Sequence, residues 1–172
     1  GQARYSGAIA LRPQQRDGLT VNGKRFRGEL VLKCTDKGLR VVNELPLEDY
    51  LCGVLGKEMP LSFPKAALEA QAVAARTYAL WHLRSKKNRD HDVKSDTRSQ
   101  VYGGLSAEHK TARAIIEKTR GMVAKYEGKI FETFFHSTCG GQTIPAAWVF
   151  GGQEYKPLSG AICGRCLSSK YY

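Results

Sequence analysis

Apolar residues follow two different periods along the chain, and the change between them falls near residue 45. Up to residue 42 the apolar positions form short β-prone runs separated by glycine-containing pairs, which predicts a meander of small antiparallel strands. The predicted strands cover residues 5–11, 28–33 and 38–43. The predicted turns lie at Asp17-Gly18, Asn22-Gly23 and Lys37-Gly38.

A helical period begins at residue 46. One face of an amphipathic helix is formed by the apolar residues Leu47, Tyr50, Leu51, Val54 and Leu55. Pro46 suits the first turn of a helix, and Pro60 interrupts the pattern. We therefore predict a helix over residues 46–59.

Two more helices follow. Ser62 and Pro64 are typical of a helix start, and the alanine-rich run over residues 66–83 allows close packing because its side chains are small. We expect this helix to be the central, most buried element. After a polar loop over residues 84–99, a third helix is predicted over residues 106–120, with Gly121 just beyond its end.

Two strands, over residues 122–126 and 129–136, are predicted to meet at Glu127-Gly128, and the last 35 residues are loop-rich. Together the elements predict an α+β fold with small antiparallel strands around a central Ala-rich helix, two further helices and a C-terminal hairpin. We expect residues 1–172 to form a single domain, with a β-rich part over residues 1–43 and a core over residues 44–172 that carries the candidate chemistry.

The 172 residues carry a formal net charge of +11, which attracts polyanions such as nucleic acid, anionic membrane or anionic cell wall. The densest basic group is Arg84, Lys86, Lys87 and Arg89. A nucleic-acid interaction would rest on charge alone, without a recognisable binding motif, so no nucleic-acid partner is expected. No apolar run is long enough for a transmembrane segment, and a leader or anchor is expected to lie outside this chain, which starts at Gly1.

Glu58 is the most informative single residue. It continues the apolar face of the first predicted helix, four residues after Val54, but with a carboxylate. It also lies at the helix C-terminus, where the dipole disfavours negative charge, so burial and the dipole both favour its protonated form. A protonated carboxylic acid is what glycosidic-bond cleavage requires. The alternative is a salt bridge near Lys57 or to an arginine of the next helix.

Four segments in order resemble the signature of the SpoIID/LytB family: residues 51–60 with Glu58-Met-Pro, 63–78, 99–103 with Ser-Gln-Val-Tyr-Gly, and 135–143 with Phe-His-Ser-Thr-Cys-Gly-Gly. The resemblance spans roughly residues 40–170. That family includes a sporulation lytic transglycosylase that degrades peptide-free glycan strands, and proteins described as enhancers of amidases. The resemblance implies that Glu58 is the catalytic acid and that Arg76 occupies an important family position.

The resemblance also implies a mechanism, a substrate and a compartment. Glu58 would protonate the glycosidic oxygen between N-acetylmuramic acid and N-acetylglucosamine, then accept the proton of the muramyl 6-hydroxyl as that oxygen attacks its own anomeric carbon. A 1,6-anhydro end results, so one carboxylate suffices instead of the usual pair. Peptidoglycan glycan strands outside the cytoplasm (cell wall, periplasm or intermembrane space) would be the substrate. The alternative is a non-catalytic cell-wall-binding protein that stimulates a partner, an N-acetylmuramoyl-L-alanine amidase or other wall hydrolase.

Further residues are candidates for substrate binding, each with a structural alternative. Arg76 would hold substrate or steady Glu58, or form an ion pair with Glu69. Gln71 would bind sugar through its amide, or be a buried amide that fixes a loop. Gln100 and Tyr102 are grouped with the substrate contacts, and Tyr102 would stack on a sugar face or pack in the core.

His136-x-x-Cys139 and Cys163-x-x-Cys166 match the ligand spacing of a tetrahedral structural zinc site. Two alternatives stand beside it. Cys139 would form a disulfide with Cys163 or Cys166, which suits an extracytoplasmic protein, or His136 would belong to the glycan cleft. Five cysteines argue against a complete set of disulfides, and the remaining two, Cys34 and Cys52, are expected to be small core residues.

Overall fold

The computed structural model describes residues 7–14, 18–85, 90–152 and 154–169. Parts of three predictions lie outside these residues: the start of the first strand (5–6), Asp17 of the first turn, and Lys86, Lys87 and Arg89 of the basic group. The strands are β1 (Ala8–Leu11), β2 (Leu19–Val21), β3 (Lys24–Phe26), β4 (Glu29–Thr35), β5 (Gly38–Glu44), β6 (Lys125–Tyr126), β7 (Lys129–Ile130), β8 (Gln142–Thr143) and β9 (Ala161–Ile162). The helices are α1 (Leu47–Glu58), α2 (Lys65–Ser85), α3 (Lys110–Lys118) and α4 (Ala146–Phe150).

The strands before α1 form the predicted antiparallel meander. Strands β1, β4 and β5 make a three-stranded sheet in that order, and β2 pairs with β3 in a separate hairpin. The turn of this hairpin holds Asn22 at φ 49° and Gly23 at φ 73°. Two consecutive positive φ angles match the tight turn that follows the right-handed twist of the strands.

Helices α1, α2 and α3 pack on one another and enclose the main core. Helix α1 contributes an unbroken buried run from Tyr50 to Leu55, so it shares the centre of the molecule with α2. The core residues of α2 include Ala72, Ala75 and Ala79, whose small side chains let the helices approach closely. The α+β fold with an alanine-rich helix at its centre is confirmed.

Helix α3 is shorter than the sequence predicted. It begins at Lys110 rather than at residue 106, because Ser106 lies in a 3-10 turn over Gly104–Ala107. His109 then takes an extended conformation, and its Nδ1 accepts a hydrogen bond from the backbone N–H of Thr111 at 3.1 Å. Histidine is not one of the favoured N-cap residues, so sequence preferences gave no signal for this start.

The hairpin after α3 turns where the sequence predicted, but its strands hold only two residues each. Glu127 and Gly128 adopt φ 49° and 77° in its turn. The flanking chain bonds to α2 instead of to itself: the N–H of Ala124 donates to Thr77 Oγ1 at 2.9 Å. Likewise Thr133 Oγ1 donates to the carbonyl of Ala74 at 2.8 Å. Contact with α2 therefore replaces the longer ladder predicted for residues 122–136.

None of the helices in the described part of the chain combines the length and apolar character needed to cross a bilayer.

Arg76 is buried at the junction of the three helices, with 1% of its surface exposed. Its Nε and Nη2 donate to the two carboxylate oxygens of Glu48 in α1 at 3.0 and 2.8 Å. The guanidinium also donates to the carbonyls of Ile116 and Met122, each at 3.2 Å. Only arginine, which carries five N–H donors in a planar fork, suits this set of acceptors.

The expected ion pair between Arg76 and Glu69 is not formed. Seven residues separate them along α2, a rise of about 10 Å, and Glu69 instead accepts from Lys118 at 2.6 Å. The expected contact of Arg76 with substrate is likewise replaced by contacts inside the protein, since its guanidinium is enclosed.

Replacing Arg76 by Met should lower the free energy of unfolding by about 3 kcal/mol, because the carboxylate of Glu48 would lose its partner in a partly buried position. Urea unfolding followed by circular dichroism measures this. The matched control is Arg120→Met, which removes an exposed pair with Glu117 and should leave the free energy of unfolding almost unchanged. Equal losses in the two variants would contradict the role given to Arg76.

Candidate functional site

Glu58 is the last residue of α1 and is half-buried. Its Oε1 accepts a hydrogen bond from the backbone N–H of Val101 at 2.5 Å. Its Oε2 makes no hydrogen bond to any residue that the structure describes. Because Oε1 accepts from Val101, Oε2 is the carboxylate oxygen left available to a ligand.

The segment that carries Val101 is fastened to both long helices. Gln100 is fully buried, its Nε2 donates to the carbonyl of Ala75 in α2 at 3.2 Å, and its Oε1 accepts from the hydroxyl of Tyr50 in α1 at 3.1 Å. Both ends of the amide are thus occupied inside the protein. The expected contact of Gln100 with substrate is replaced by a positioning role: Gln100 fixes the N–H that meets Glu58.

Two buried tyrosines surround this carboxylate. Burial raises the pKa of the Tyr50 hydroxyl well above its usual value, and the negative charge of Glu58 adds to the rise. Burial also raises the pKa of Tyr78, with a smaller contribution from Glu58 and an opposing hydrogen bond with Ser99. Both phenols therefore stay protonated at physiological pH, and the Tyr50 hydroxyl donates to Gln100.

Sequence reasoning did not identify Tyr78, Ser99 or the backbone of Val101 as parts of the site. Tyr78 closes the second resembling segment and lies three residues after Ala75, on the side of α2 that meets Gln100. That spacing was a usable signal for Tyr78. Val101 contributes only its N–H, which every residue except proline carries, so its side chain gave no signal in the sequence.

Tyr102 packs in the core, with 9% of its surface exposed. Its ring centroid lies 5.2 Å from that of Tyr50 and 6.2 Å from that of Phe26. Burial raises the pKa of Tyr102 to about 12. Gly53 makes room for this ring, because a Cβ added there would lie 2.5 Å from Tyr102 Cε2. The core alternative therefore describes Tyr102 better than an open stacking surface.

A groove of about 810 Å³ runs beside this aromatic group, and Tyr50 and Tyr102 form part of its wall. Its other walls come from β5, the β2–β3 hairpin and residues 90–98. Arg40 and Lys33 pair with Asp90 at the sheet side of this region, so charges of both signs face the opening. Glu58 does not line this groove.

Gln71 is buried on α2, with 8% of its surface exposed. Its Nε2 has no hydrogen-bond partner among the described residues. A buried amide donor without a partner is rare in folded proteins and calls for a specific reason. The structure thus places the Gln71 side chain inside the protein and leaves one of its donors unused.

Three cysteines meet near the end of the chain. The sulfur atoms of Cys139, Cys163 and Cys166 all lie within 4.8 Å of one another, and those of Cys139 and Cys166 are 3.3 Å apart. His136 is exposed and is not a member of this group. Sequence spacing therefore identified three members correctly, whereas the structure does not bring the histidine to them.

The two remaining cysteines differ from each other. Cys52 is a buried core residue, as expected, with 2% of its surface exposed. Cys34 is exposed, contrary to expectation, because it pairs with Leu39 beside the β4–β5 turn, beyond the edge of the core.

Fold and site together define an α+β protein that presents one carboxylate at the end of its first helix. A sequence model of the SpoIID family, described as Stage II sporulation protein, matches residues 35–126, more than half of the chain. The chain belongs to this family, which confirms the resemblance seen in its motifs. The matched range contains Glu58, Gln100 and Val101, and it excludes the three clustered cysteines.

Several other proteins are similar to this chain in sequence. An uncharacterized protein of Brachyspira hyodysenteriae (strain ATCC 49526 / WA1) is 41% identical over 148 residues, 86% of this chain and 40% of that protein. The amidase enhancer of Bacillus subtilis (strain 168) is 41% identical over 93 residues, 54% of this chain and 12% of that protein. Stage II sporulation protein D of Bacillus amyloliquefaciens is 34% identical over 117 residues, 59% of this chain and 34% of that protein. The chain spans less than half the length of each.

Replacing Gly53 by Ala should displace the ring of Tyr102 and, with it, the N–H of Val101 that holds Glu58. We expect the free energy of unfolding to fall by about 1 kcal/mol, because the cost of the clash exceeds the stability that Ala adds to a helix interior. Urea unfolding and amide hydrogen exchange at Val101 measure the two effects.

Gly56→Ala is the matched control in the same helix, since its Cβ would lie 3.4 Å from the flexible side chain of Leu61. This variant should be neutral or more stable, with exchange at Val101 unchanged. Faster exchange at Val101 in both variants would show that the close approach of Gly53 to Tyr102 has no special role.

Proposed function

We propose that this chain is a lytic transglycosylase that cleaves the bond between N-acetylmuramic acid and N-acetylglucosamine in peptide-free glycan strands. The observation that carries the proposal is the fixed carboxyl group of Glu58, whose Oε1 is held by Val101 at 2.5 Å while Oε2 is left for a ligand. Membership of the SpoIID family and the similarity to Stage II sporulation protein D support a role at the cell wall.

The proposed reaction uses Glu58 twice. Oε2 first donates its proton to the glycosidic oxygen, which breaks the bond to the leaving sugar. The resulting carboxylate then takes the proton of the muramyl 6-hydroxyl, whose oxygen bonds to the anomeric carbon and closes the 1,6-anhydro ring. The proton returned to Glu58 restores the starting state, so the cycle needs neither water nor a second carboxylate.

Val101 supports both steps in this scheme. Its N–H stabilises the anionic form of Glu58 after the first proton transfer and keeps the carboxyl plane fixed before it. The buried tyrosines are neutral, so they add no charge that would compete with the carboxylate.

Charge and compartment fit the same proposal. A net charge of +11 draws the chain to anionic wall polymers, and glycan strands are found outside the cytoplasm, where we place this protein. His136, exposed near the start of the fourth resembling segment, remains a candidate contact for the glycan.

A second candidate function is the stimulation of a wall amidase without catalysis. It is favoured by the similarity to the protein named amidase enhancer, and by the position of Glu58 outside the groove that Tyr50 and Tyr102 line. In that case the positive surface would bind the wall, and the partner would be an N-acetylmuramoyl-L-alanine amidase. The two candidates differ in whether the chain alone produces anhydro-sugars.

Replacing Glu58 by Gln should abolish anhydro-muramyl products, with at least a ~100-fold loss of rate, because the amide cannot donate and reclaim a proton. The amide oxygen of Gln still accepts from Val101, so the fold should persist. Purified chain is incubated with peptide-free glycan strands, and the products are identified by mass spectrometry. Glu117→Gln, which alters an exposed carboxylate on α3, is the matched control and should keep full activity.

Anhydro products from Glu58→Gln at the rate of the control would refute the catalytic role. Wild-type chain that binds the strands and yields no anhydro products, yet accelerates a wall amidase, would select the second candidate function.

Replacing Gln71 by Met keeps the side-chain volume but removes the buried donor that lacks a partner. If Gln71 Nε2 donates to sugar, as proposed, the melting temperature should stay equal or rise while turnover falls about tenfold, since an unpaired buried polar group costs stability. Thermal unfolding and product release are measured on the same preparation. A lower melting temperature with unchanged turnover would show that the amide serves the fold only.

A further inference from the structure

The three sulfur atoms near the end of the chain have the spacing of a metal site. They lie within 4.8 Å of one another, and the Cys139–Cys166 pair is 3.3 Å apart. Thiolates bound to one tetrahedral zinc ion at 2.3 Å lie about 3.8 Å from each other, inside this range. A disulfide requires about 2.05 Å and joins only two sulfurs, so it does not account for the third.

The backbone around the sulfurs is fixed by a small hairpin. Strands β8 and β9 pair Gln142 with Ile162, which brings Cys139 and Cys163 to the same end of the pair. The N–H groups of Cys163 and Gly164 both donate to the carbonyl of Gly141, at 2.9 and 3.3 Å. The two halves of the cluster are therefore held together by main-chain bonds that do not depend on the sulfurs.

Backbone N–H groups also point at the sulfurs. The N–H of Cys139 donates to Cys166 Sγ at 3.5 Å, and Gly141 makes a backbone hydrogen bond to the Cys139 sulfur. Such bonds stabilise thiolates and orient them in metal sites. Ser169, three residues after Cys166, is tied to Thr138 by a hydroxyl hydrogen bond of 2.7 Å, so both sides of the cluster are fastened.

The surrounding segment has hydrogen bonds but no buried core of its own. None of the described residues between 134 and 169 is buried. Trp148, Ile162 and Leu167 are each more than two-thirds exposed, so their apolar surface adds little to stability. Protein segments without a core of their own usually depend on a disulfide or a structural metal.

We propose that Cys139, Cys163 and Cys166 bind one Zn²⁺ ion as three thiolates and that this ion clips residues 136–169 together. Thiolate sulfur is the ligand type that favours zinc over magnesium or calcium. His136 stands apart from the cluster, and among the described residues no histidine or carboxylate joins the three sulfurs. The proposal is independent of the reaction at Glu58.

The test measures metal content and free thiols on the whole chain. Protein purified with Zn²⁺ and then freed of reductant should hold one zinc by mass spectrometry, and all five cysteines should react as thiols once it is denatured with a chelator. Co²⁺ added to the metal-free chain should give the visible absorption of a tetrahedral thiolate site. Cys163→Ser should lose the zinc, whereas Cys34→Ser, which alters an exposed cysteine outside the cluster, should retain it.

Any other result of these measurements overturns the proposal. Three reactive thiols and no zinc would show a disulfide within the cluster, and five thiols with no zinc and no cobalt spectrum would show that no metal binds. Loss of zinc in His136→Ala would make the histidine a ligand and exclude the three-thiolate site. Because these readouts do not involve glycan cleavage, their failure is distinguishable from failure of the catalytic proposal.

Discussion

The candidate site depends on one buried amide. Gln100 spans the gap between α1 and α2, with its oxygen on the hydroxyl of Tyr50 and its nitrogen on the carbonyl of Ala75. A fully buried amide must pair at both ends, so only one placement of the neighbouring backbone satisfies it. That placement brings the N–H of Val101 to Glu58. The loop that carries Val101 is thereby positioned as accurately as the helices that flank it.

A second polar group fixes the helices themselves. Arg76 joins the first turn of α1, through Glu48, to carbonyls at the end of α3 and just beyond it. A buried ion pair gives little net stability compared with apolar packing, but it penalises every arrangement that leaves its charges unpaired. Arg76 contacts Glu48 and Gln100 contacts Tyr50, both in the first half of α1, whereas Glu58 is the last residue of that helix. Two polar residues that looked like substrate contacts therefore determine where the carboxylate lies.

Periodicity predicted the parts of the fold whose signals are local. The apolar face of residues 47–55 and the flanking prolines defined α1 and placed Glu58 at its end. The start of α3 and the length of the β6–β7 hairpin depend on tertiary contacts instead, with His109 as an unusual cap and Thr77 as a competing partner for the backbone. The same distinction applies to the residues of the site. A carboxylate can be recognised in a sequence, whereas a backbone donor such as the N–H of Val101 can be recognised only in the structure.

The chemistry and the cysteine cluster occupy different parts of the chain. Every contact that positions Glu58 comes from residues 48–122, close to the range that the family model matches, whereas the clustered sulfurs follow at residues 139–166. The two regions also differ physically, since the first has a continuous core and the last has no buried residue among those described between 134 and 169. A core confers its own stability, but a segment without one depends on hydrogen bonds and cross-links for its order. Glu58 can therefore keep its geometry whether or not the cluster holds an ion, and the cluster determines only the order of the segment that begins at His136.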